Sequence, residues 1–218
     1  MKKFSKKRVF DVLLSSASIV ALSPVLAALV VAVSVNNQGP FIFTQERIGK
    51  DNKPFKILKF KTMNDARDEN GNMLPDNLRV NGFSLKMRKL GIDELPQLFN
   101  ILSGQMSFVG PRPMVPQGPQ SYPVPEERAA IREIRPGLVG MVQLAKIRRG
   151  NDLPLKAMLR IDYSYAVSPP SLRRDIGIMS SVVKEMMLRG SNGSPLRTDQ
   201  PSSVEKQQPG PFDMPPPQ

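Results

Sequence analysis

Val12-Leu-Leu-Ser-Ser-Ala-Ser-Ile-Val-Ala-Leu-Ser23-Pro24-Val-Leu-Ala-Ala-Leu-Val-Val-Ala-Val-Ser-Val35 carries no charge over 24 positions. As a helix it is long enough to cross about 30 Å of hydrocarbon. Ser23-Pro24 stands at its midpoint. Proline removes a helix hydrogen bond and bends the axis, and a serine hydroxyl can satisfy the carbonyl so freed. Both flanks are basic: Lys2, Lys3, Lys6, Lys7 and Arg8 precede the segment. Arg47, Lys50, Lys53, Lys56, Lys59 and Lys61 follow it, against Glu46 and Asp51. The positive-inside rule places both ends in the cytoplasm. Two arms of about twelve residues then enter one leaflet and return, which makes the chain monotopic. The rival readings are a spanning anchor and a cleaved signal, for which Ala32-Val33-Ser34 is a weak small-x-small match.

The rest of the chain is one domain of ordinary size with appendages. Lys and Arg total 31 against 19 acids, a formal net charge of +12. The stretch from Gly190 to Gln218 contributes −1, so the body carries +13. Such an excess implies anionic partners: nucleic acid, acidic headgroups or phosphate esters. With no Cys there is no disulfide, Cys-ligated zinc or iron–sulfur cluster. With no His either, a metal would be held by oxygen ligands, which favours magnesium or manganese.

The pattern predicts a mainly helical α+β fold: the re-entrant membrane helix broken at Ser23-Pro24, a small β-hairpin and interfacial amphipathic helices. Residues 1–36 form the basic N-terminus and anchor, 37–189 a cytoplasmic, membrane-associated catalytic domain, and 190–218 a disordered Pro/Ser/Gln-rich tail. Strands are expected over Pro40–Gln45 and Pro54–Thr62, turning at Gly49-Lys50-Asp51-Asn52. Lys59 and Lys61 share one face of the second strand, which either lines a solvated strand edge or presents cations to a site. Asn64–Gly82 reads as a loop, and Ser84–Leu90 as a short basic helix closed by Gly91. Pro111-Arg112-Pro113 is a stiff loop, and Arg135-Pro-Gly-Leu-Val-Gly140 a turn-rich element. Helices are expected over Pro125–Ile134, Leu153–Val167 and Leu172–Leu188. In the last, Ile176, Met179, Val183 and Met186 form a stripe suited to a core or to an interface.

Without His or Cys, carboxylates lead as nucleophile and proton carrier. Asp93-Glu94 stands in Arg88-Lys-Leu-Gly-Ile-Asp-Glu-Leu-Pro-Gln-Leu98, before a short apolar helix that Gly104 stops. Locally the pair reads as a helix start, with Asp93 at the N-cap. The cations Lys59, Lys61, Arg88 and Arg112 raise a second reading. Cations around two acids keep them ionised and bind phosphate oxygens, which suits phosphoryl transfer.

Six stretches in order carry a resemblance over roughly residues 5 to 188. They are Lys7-Arg-Val-Phe-Asp-Val-Leu-Leu14, Ser23-Pro24, Gln45-Glu-Arg-Ile-Gly49, Phe55-Lys-Ile-Leu-Lys-Phe-Lys-Thr-Met63, Asp93-Glu-Leu-Pro-Gln-Leu98 and Ser107-Phe-Val-Gly-Pro-Arg-Pro113. The chain resembles the bacterial sugar transferase family, the monotopic phosphoglycosyl transferases, in its small single-domain, PglC-like form. The resemblance implies a phospho-sugar moved from a UDP-sugar to polyprenol phosphate, with UMP released, as the first step of membrane glycoconjugate assembly. It implies Asp93 as covalent nucleophile and Glu94 as its magnesium-linked or proton-handling helper. Mg2+ would lie at Asp93 and Glu94, phosphates at Lys59, Arg88 and Arg112, and the helix break at Ser23 and Pro24.

It further implies the cytoplasmic face of a bacterial inner membrane, membrane lipids as neighbours and no nucleic acid. A homo-oligomer or downstream glycosyltransferases are compatible partners. The family commonly continues after Gly140 with an aromatic-Ala-Gln-Val-x-Gly-Arg stretch. Here Met141-Val-Gln-Leu-Ala-Lys-Ile-Arg-Arg-Gly-Asn151 keeps Gln143 but not the Gly-Arg spacing. Asp162 reads as a structural partner for a cation. The competing reading is a basic, membrane-tethered binding or scaffold protein without catalysis. That reading accounts for the charge but not for a Pro-split anchor followed by Asp-Glu-Leu-Pro.

Overall fold

The computed structural model describes residues 5–37, 39–116, 125–149 and 153–191. The expected tail therefore lies, apart from its first residues, outside the described residues. Helix α1 spans Lys6–Asn37, and strands β1 (Ile42–Ile48) and β2 (Pro54–Phe60) form an antiparallel hairpin with Ile42 opposite Phe60. The hairpin turns where expected. Asp51 and Asn52 take left-handed backbone (φ 57° and 59°), which short polar side chains tolerate best. Strand β1 starts two residues later than expected and runs on to Ile48.

Helices α2 (Asp76–Arg79), α3 (Gly82–Leu90) and α4 (Gln97–Ser103) follow, then β3 (Ser107–Val109), α5 (Pro125–Arg132) and β4 (Gly137–Val139). Helices α6 (Met141–Arg149), α7 (Leu155–Val167) and α8 (Leu172–Ser191) complete the order. The fold is mainly helical, with a second, two-stranded sheet in which β3 and β4 run parallel. That pairing depends on glycine. A Cβ on Gly137 would stand 2.1 Å from the Gly110 nitrogen, and one on Gly110 would stand 2.4 Å from the Arg135 carbonyl oxygen.

Helix α1 continues through Ser23-Pro24 rather than breaking. Pro24 has no N–H for the Val20 carbonyl, and the Ser23 hydroxyl donates to that carbonyl instead, at 2.8 Å. One bond is substituted and the helical path is kept. Val9, Leu13, Val20, Val25, Val31 and Val35 are exposed along it. Among the described residues α1 is the one helix long and apolar enough to cross a membrane.

Both ends of α1 are tied to the domain that follows. At the first end the Lys7 ammonium donates to the Val109 carbonyl (2.8 Å), the Tyr165 hydroxyl (2.9 Å) and Asp175 Oδ2 (2.5 Å). Arg8 donates to the Ile101 and Leu102 carbonyls at 2.6 and 2.8 Å, and so caps the C-terminal end of α4. Buried Asp11 accepts from the Ser107 hydroxyl and the Phe108 N–H. At the other end Asn36 accepts from Asn81, and Asn37 donates to the Lys61 carbonyl.

Two apolar clusters hold these ties in place. The larger gathers Phe55 and Ile57 of β2, Leu98 and Ile101 of α4, Phe108 and Val109 of β3, and Ile178 and Val182 of α8. The smaller sets Val33 of α1 against Phe60 and Met87. The stripe expected on α8 divides. Ile178 and Val182 are buried and Met179 and Met186 pack on the core, while Ile176 and Val183 are half exposed. The latter two line an open apolar groove of about 750 Å³ with Phe10, Leu14 and Met187.

Candidate active site

Gly91 closes α3 in the left-handed conformation (φ 66°) and opens a short 3-10 turn, Ile92–Glu94. A side chain at that φ would be strained, so this glycine sets the direction in which the next three residues leave. Asp93 is buried at 3 % exposure, and Glu94 beside it is half buried. The expected N-cap role for Asp93 is not observed. Gly91 precedes the 3-10 turn, Pro96 is the N-cap of α4, and neither start carries a side-chain cap bond. The first α4 amides are met by backbone instead, Leu98 N–H on Leu95 O and Phe99 N–H on Pro96 O.

Lys59 reaches this turn because of the strand period. It follows Phe55 and Ile57 at alternate positions of β2, on the face that packs against α4, so its stem runs inward. Its ammonium stands 3.0 Å from Glu94 Oε1, with both side chains less than a fifth exposed. The strand is held at that height by Asn100 of α4. Asn100 accepts from the Leu58 N–H (3.0 Å) and donates to the Lys56 carbonyl (2.8 Å) and to Gln105 Oε1 (2.7 Å). Arg88 Nε donates to the buried Thr62 hydroxyl at 2.8 Å, which fixes the guanidinium between α3 and the end of β2. Lys61 departs from the sequence expectation. It pairs with Asp65, just beyond the strand, and that contact holds the Asp65 carboxyl below its ordinary pKa.

Thus Asp93, Glu94 and Lys59 are brought together at the 3-10 turn, and Arg88 stands on the helix that precedes it, fixed against Thr62. Arg112 comes from a separate element, the loop after β3, where Pro111 and Pro113 are buried and Arg112 itself is exposed. Asp162 of α7 lies against it. Burial pushes the Asp162 carboxyl up to about 7, while the Arg112 N–H and the charges of Arg112 and Lys146 hold it down. The sequence reading of Asp162 as a partner for a cation matches this placement.

A carboxyl whose folded pKa is raised contributes stability that is complete below its unfolded value of 3.8 and is lost as pH rises through about 7. Wild type should therefore lose stability relative to Asp162→Asn over that window. Thermal melts that stay parallel from about pH 4 to 8 would contradict the assignment.

The two adjacent carboxylates fit magnesium. That ion takes one or two carboxylates and completes its octahedron with phosphate oxygens and water. No cluster of three or more His, Cys, Asp or Glu suited to a metal occurs among the described residues. A metal here would need oxygens from a bound diphosphate.

Asn100 and Thr62, which position Lys59 and Arg88, were missed in the sequence. A buried Asn on an otherwise apolar helix was the available signal for the first. Thr62, at the end of a strand, had none.

A model of the family described as Bacterial sugar transferase matches residues 1–189. The chain is 35 % identical over 182 residues to an "Uncharacterized sugar transferase EpsL" of Bacillus subtilis (strain 168), covering 84 % of this chain and 87 % of the relative. It is 34 % identical over 193 residues to "Exopolysaccharide production protein PSS" of Rhizobium leguminosarum bv. phaseoli, covering 84 % and 96 %. Against a "UDP-glucose:undecaprenyl-phosphate glucose-1-phosphate transferase" of Klebsiella pneumoniae it is 35 % identical over 160 residues, 72 % of this chain. It spans about a third (34 %) of that larger relative.

Proposed function

We propose, from the premise that this chain belongs to the bacterial sugar transferase family, that it moves a phospho-sugar from a UDP-sugar to polyprenol phosphate. The observation that carries the reading is buried Asp93 beside a Glu94 that is paired with Lys59. An Asp93 carboxylate oxygen attacks the β-phosphorus of the donor. An oxygen–phosphorus bond forms, the bond from the β-phosphorus to the bridging oxygen breaks, and UMP leaves with that oxygen. A phosphate oxygen of the polyprenol phosphate then attacks the same phosphorus and displaces the Asp93 carboxylate. The product is a polyprenyl diphosphate sugar.

Lys59, Arg88 and Arg112 bind the phosphate oxygens, each as a charge-assisted donor. Glu94 assists as magnesium ligand or proton carrier. When bound at Asp93 and Glu94, Mg2+ offsets the charge of the diphosphate.

Residues 1–36 anchor the protein, and 37–189 form a catalytic domain on the cytoplasmic face of a bacterial inner membrane. In this reading α1 is re-entrant, its axis turning at Pro24 within a continuous helix. Basic flanks on both sides and hydrogen bonds from both ends to one domain support it. Cysteines introduced singly at Ser5 and Gly39 should react with an impermeant thiol reagent from the same side of the membrane. Labelling from opposite sides would sink the re-entrant path.

The reaction itself is tested by UMP release from a panel of UDP-sugars with Mg2+, with and without polyprenol phosphate. Turnover with none of them would leave a scaffold as the better reading.

A further inference from the structure

Pro111-Arg112-Pro113 has a single backbone N–H, because proline has none. The segment is fastened on two sides through its carbonyls and its neighbour. The Gly137 N–H of β4 donates to Pro111 O at 2.9 Å. From β1, Arg47 Nη1 donates to Pro113 O at 3.3 Å, and the Ile48 N–H donates to Met114 O at 2.8 Å. The one N–H, that of Arg112, goes to the buried carboxylate of Asp162 on a third element, α7. Asp162 also faces the Arg112 guanidinium and the Lys146 ammonium electrostatically. A carboxylate taken out of water stabilises a fold poorly, and an apolar residue of similar size would serve packing as well. What Asp162 adds is direction, because within Pro111-Arg112-Pro113 it fixes the residue whose side chain reaches solvent.

We propose that Asp162 is a positioning residue for the transfer reaction. It holds the Arg112 backbone so that the guanidinium is presented to the donor diphosphate. The inference rests on the reading of Arg112 as a phosphate ligand, and it adds a residue outside the site's own shell of acids and cations.

The test is a double-mutant cycle on the full chain in detergent or nanodiscs, with UDP-glucose or the panel donor of highest turnover. Arg112→Ala, Asp162→Ala and the pair are compared for kcat and KM, and Asp162→Asn keeps an oxygen that can accept the Arg112 N–H. Asp162→Ala is expected to raise KM for the UDP-sugar roughly 10–100-fold with a smaller change in kcat. In the Arg112→Ala background it should change KM less than about twofold, because the group it positions is gone. Asp162→Asn should fall between wild type and Asp162→Ala.

Equal losses from Asp162→Ala with and without Arg112, or an unchanged KM, overturn the proposal while leaving Arg112 as a phosphate ligand. A wild-type KM in Arg112→Ala removes that assignment and the proposal with it. Should Asp162→Ala fail to fold, the same cycle run with Asp162→Leu, which removes the acceptor at similar volume, decides. Coupling to Arg112 supports the proposal, and additivity overturns it.

Discussion

Asp93→Asn is expected to lower UMP release by at least about 10⁴-fold, with no covalent phosphosugar adduct in the intact mass of the protein. The substitution exchanges one carboxylate oxygen for an amide nitrogen at almost constant volume. At 3 % exposure the surrounding packing should therefore be preserved. Chemistry is altered much more than structure. An amide has no anionic oxygen to attack phosphorus and offers magnesium a neutral ligand. A 10⁴-fold loss corresponds to about 5.4 kcal/mol of lost transition-state stabilisation. Wild type incubated with the UDP-sugar and no acceptor should gain the mass of a phosphosugar and release one equivalent of UMP. Turnover by Asp93→Asn within tenfold of wild type would remove Asp93 as the nucleophile.

The largest expected effect on stability lies at the first end of α1. All three Lys7 ammonium donors are engaged, by the Val109 carbonyl, the Tyr165 hydroxyl and Asp175. Tyr165 also donates to Asp175 Oδ1 at 2.8 Å, and burial together with that carboxylate pushes its hydroxyl pKa up. Lys7→Met keeps the length and apolar stem but leaves the Asp175 carboxylate buried at 2 % exposure with its cation removed. Breaking such a pair from one side costs about 3–5 kcal/mol, a fall in Tm of roughly 10 °C for a domain of this size. Lys7→Met with Asp175→Leu should recover part of the loss, since no buried charge then remains. A Lys7→Met protein that melts within about 2 °C of wild type would show the network to be energetically idle.

Most of the site's acids and cations were legible in the sequence, because the signals are local. The apolar run, its proline and the two basic flanks stand within 61 residues, and Gly91, Asp93, Glu94 and Pro96 punctuate one turn. The strand period accounts for the direction of Lys59 but not for that of Lys61. Lys61 lies past the end of β2, where alternation no longer directs a side chain, and Asp65 captures it.

Parallel pairing of β3 with β4 was hidden for a different reason. Each strand has three residues, too few for any period to show. The pairing instead depends on close approach of Gly110 to Gly137 across 27 positions of sequence. The cap at Asp93 was misjudged because an acid before an apolar helix usually accepts its first amides, whereas here Pro96 and a 3-10 turn leave those amides to the backbone. Asn100 and Asp162 act on residues dozens of positions away, so the sequence around each names no partner.

The Lys7–Asp175 tie also sets an order of assembly during synthesis. The two residues are separated by 168 positions, an interval of roughly 8–34 s at about 5–20 residues per second on the ribosome. For most of that interval α1 is already made, but the partner of its first cation is not. A helix this apolar finds its best surroundings in lipid until α8 emerges. A nascent chain arrested before Asp175 therefore has its anchor but not the lock that joins the anchor to the enzyme.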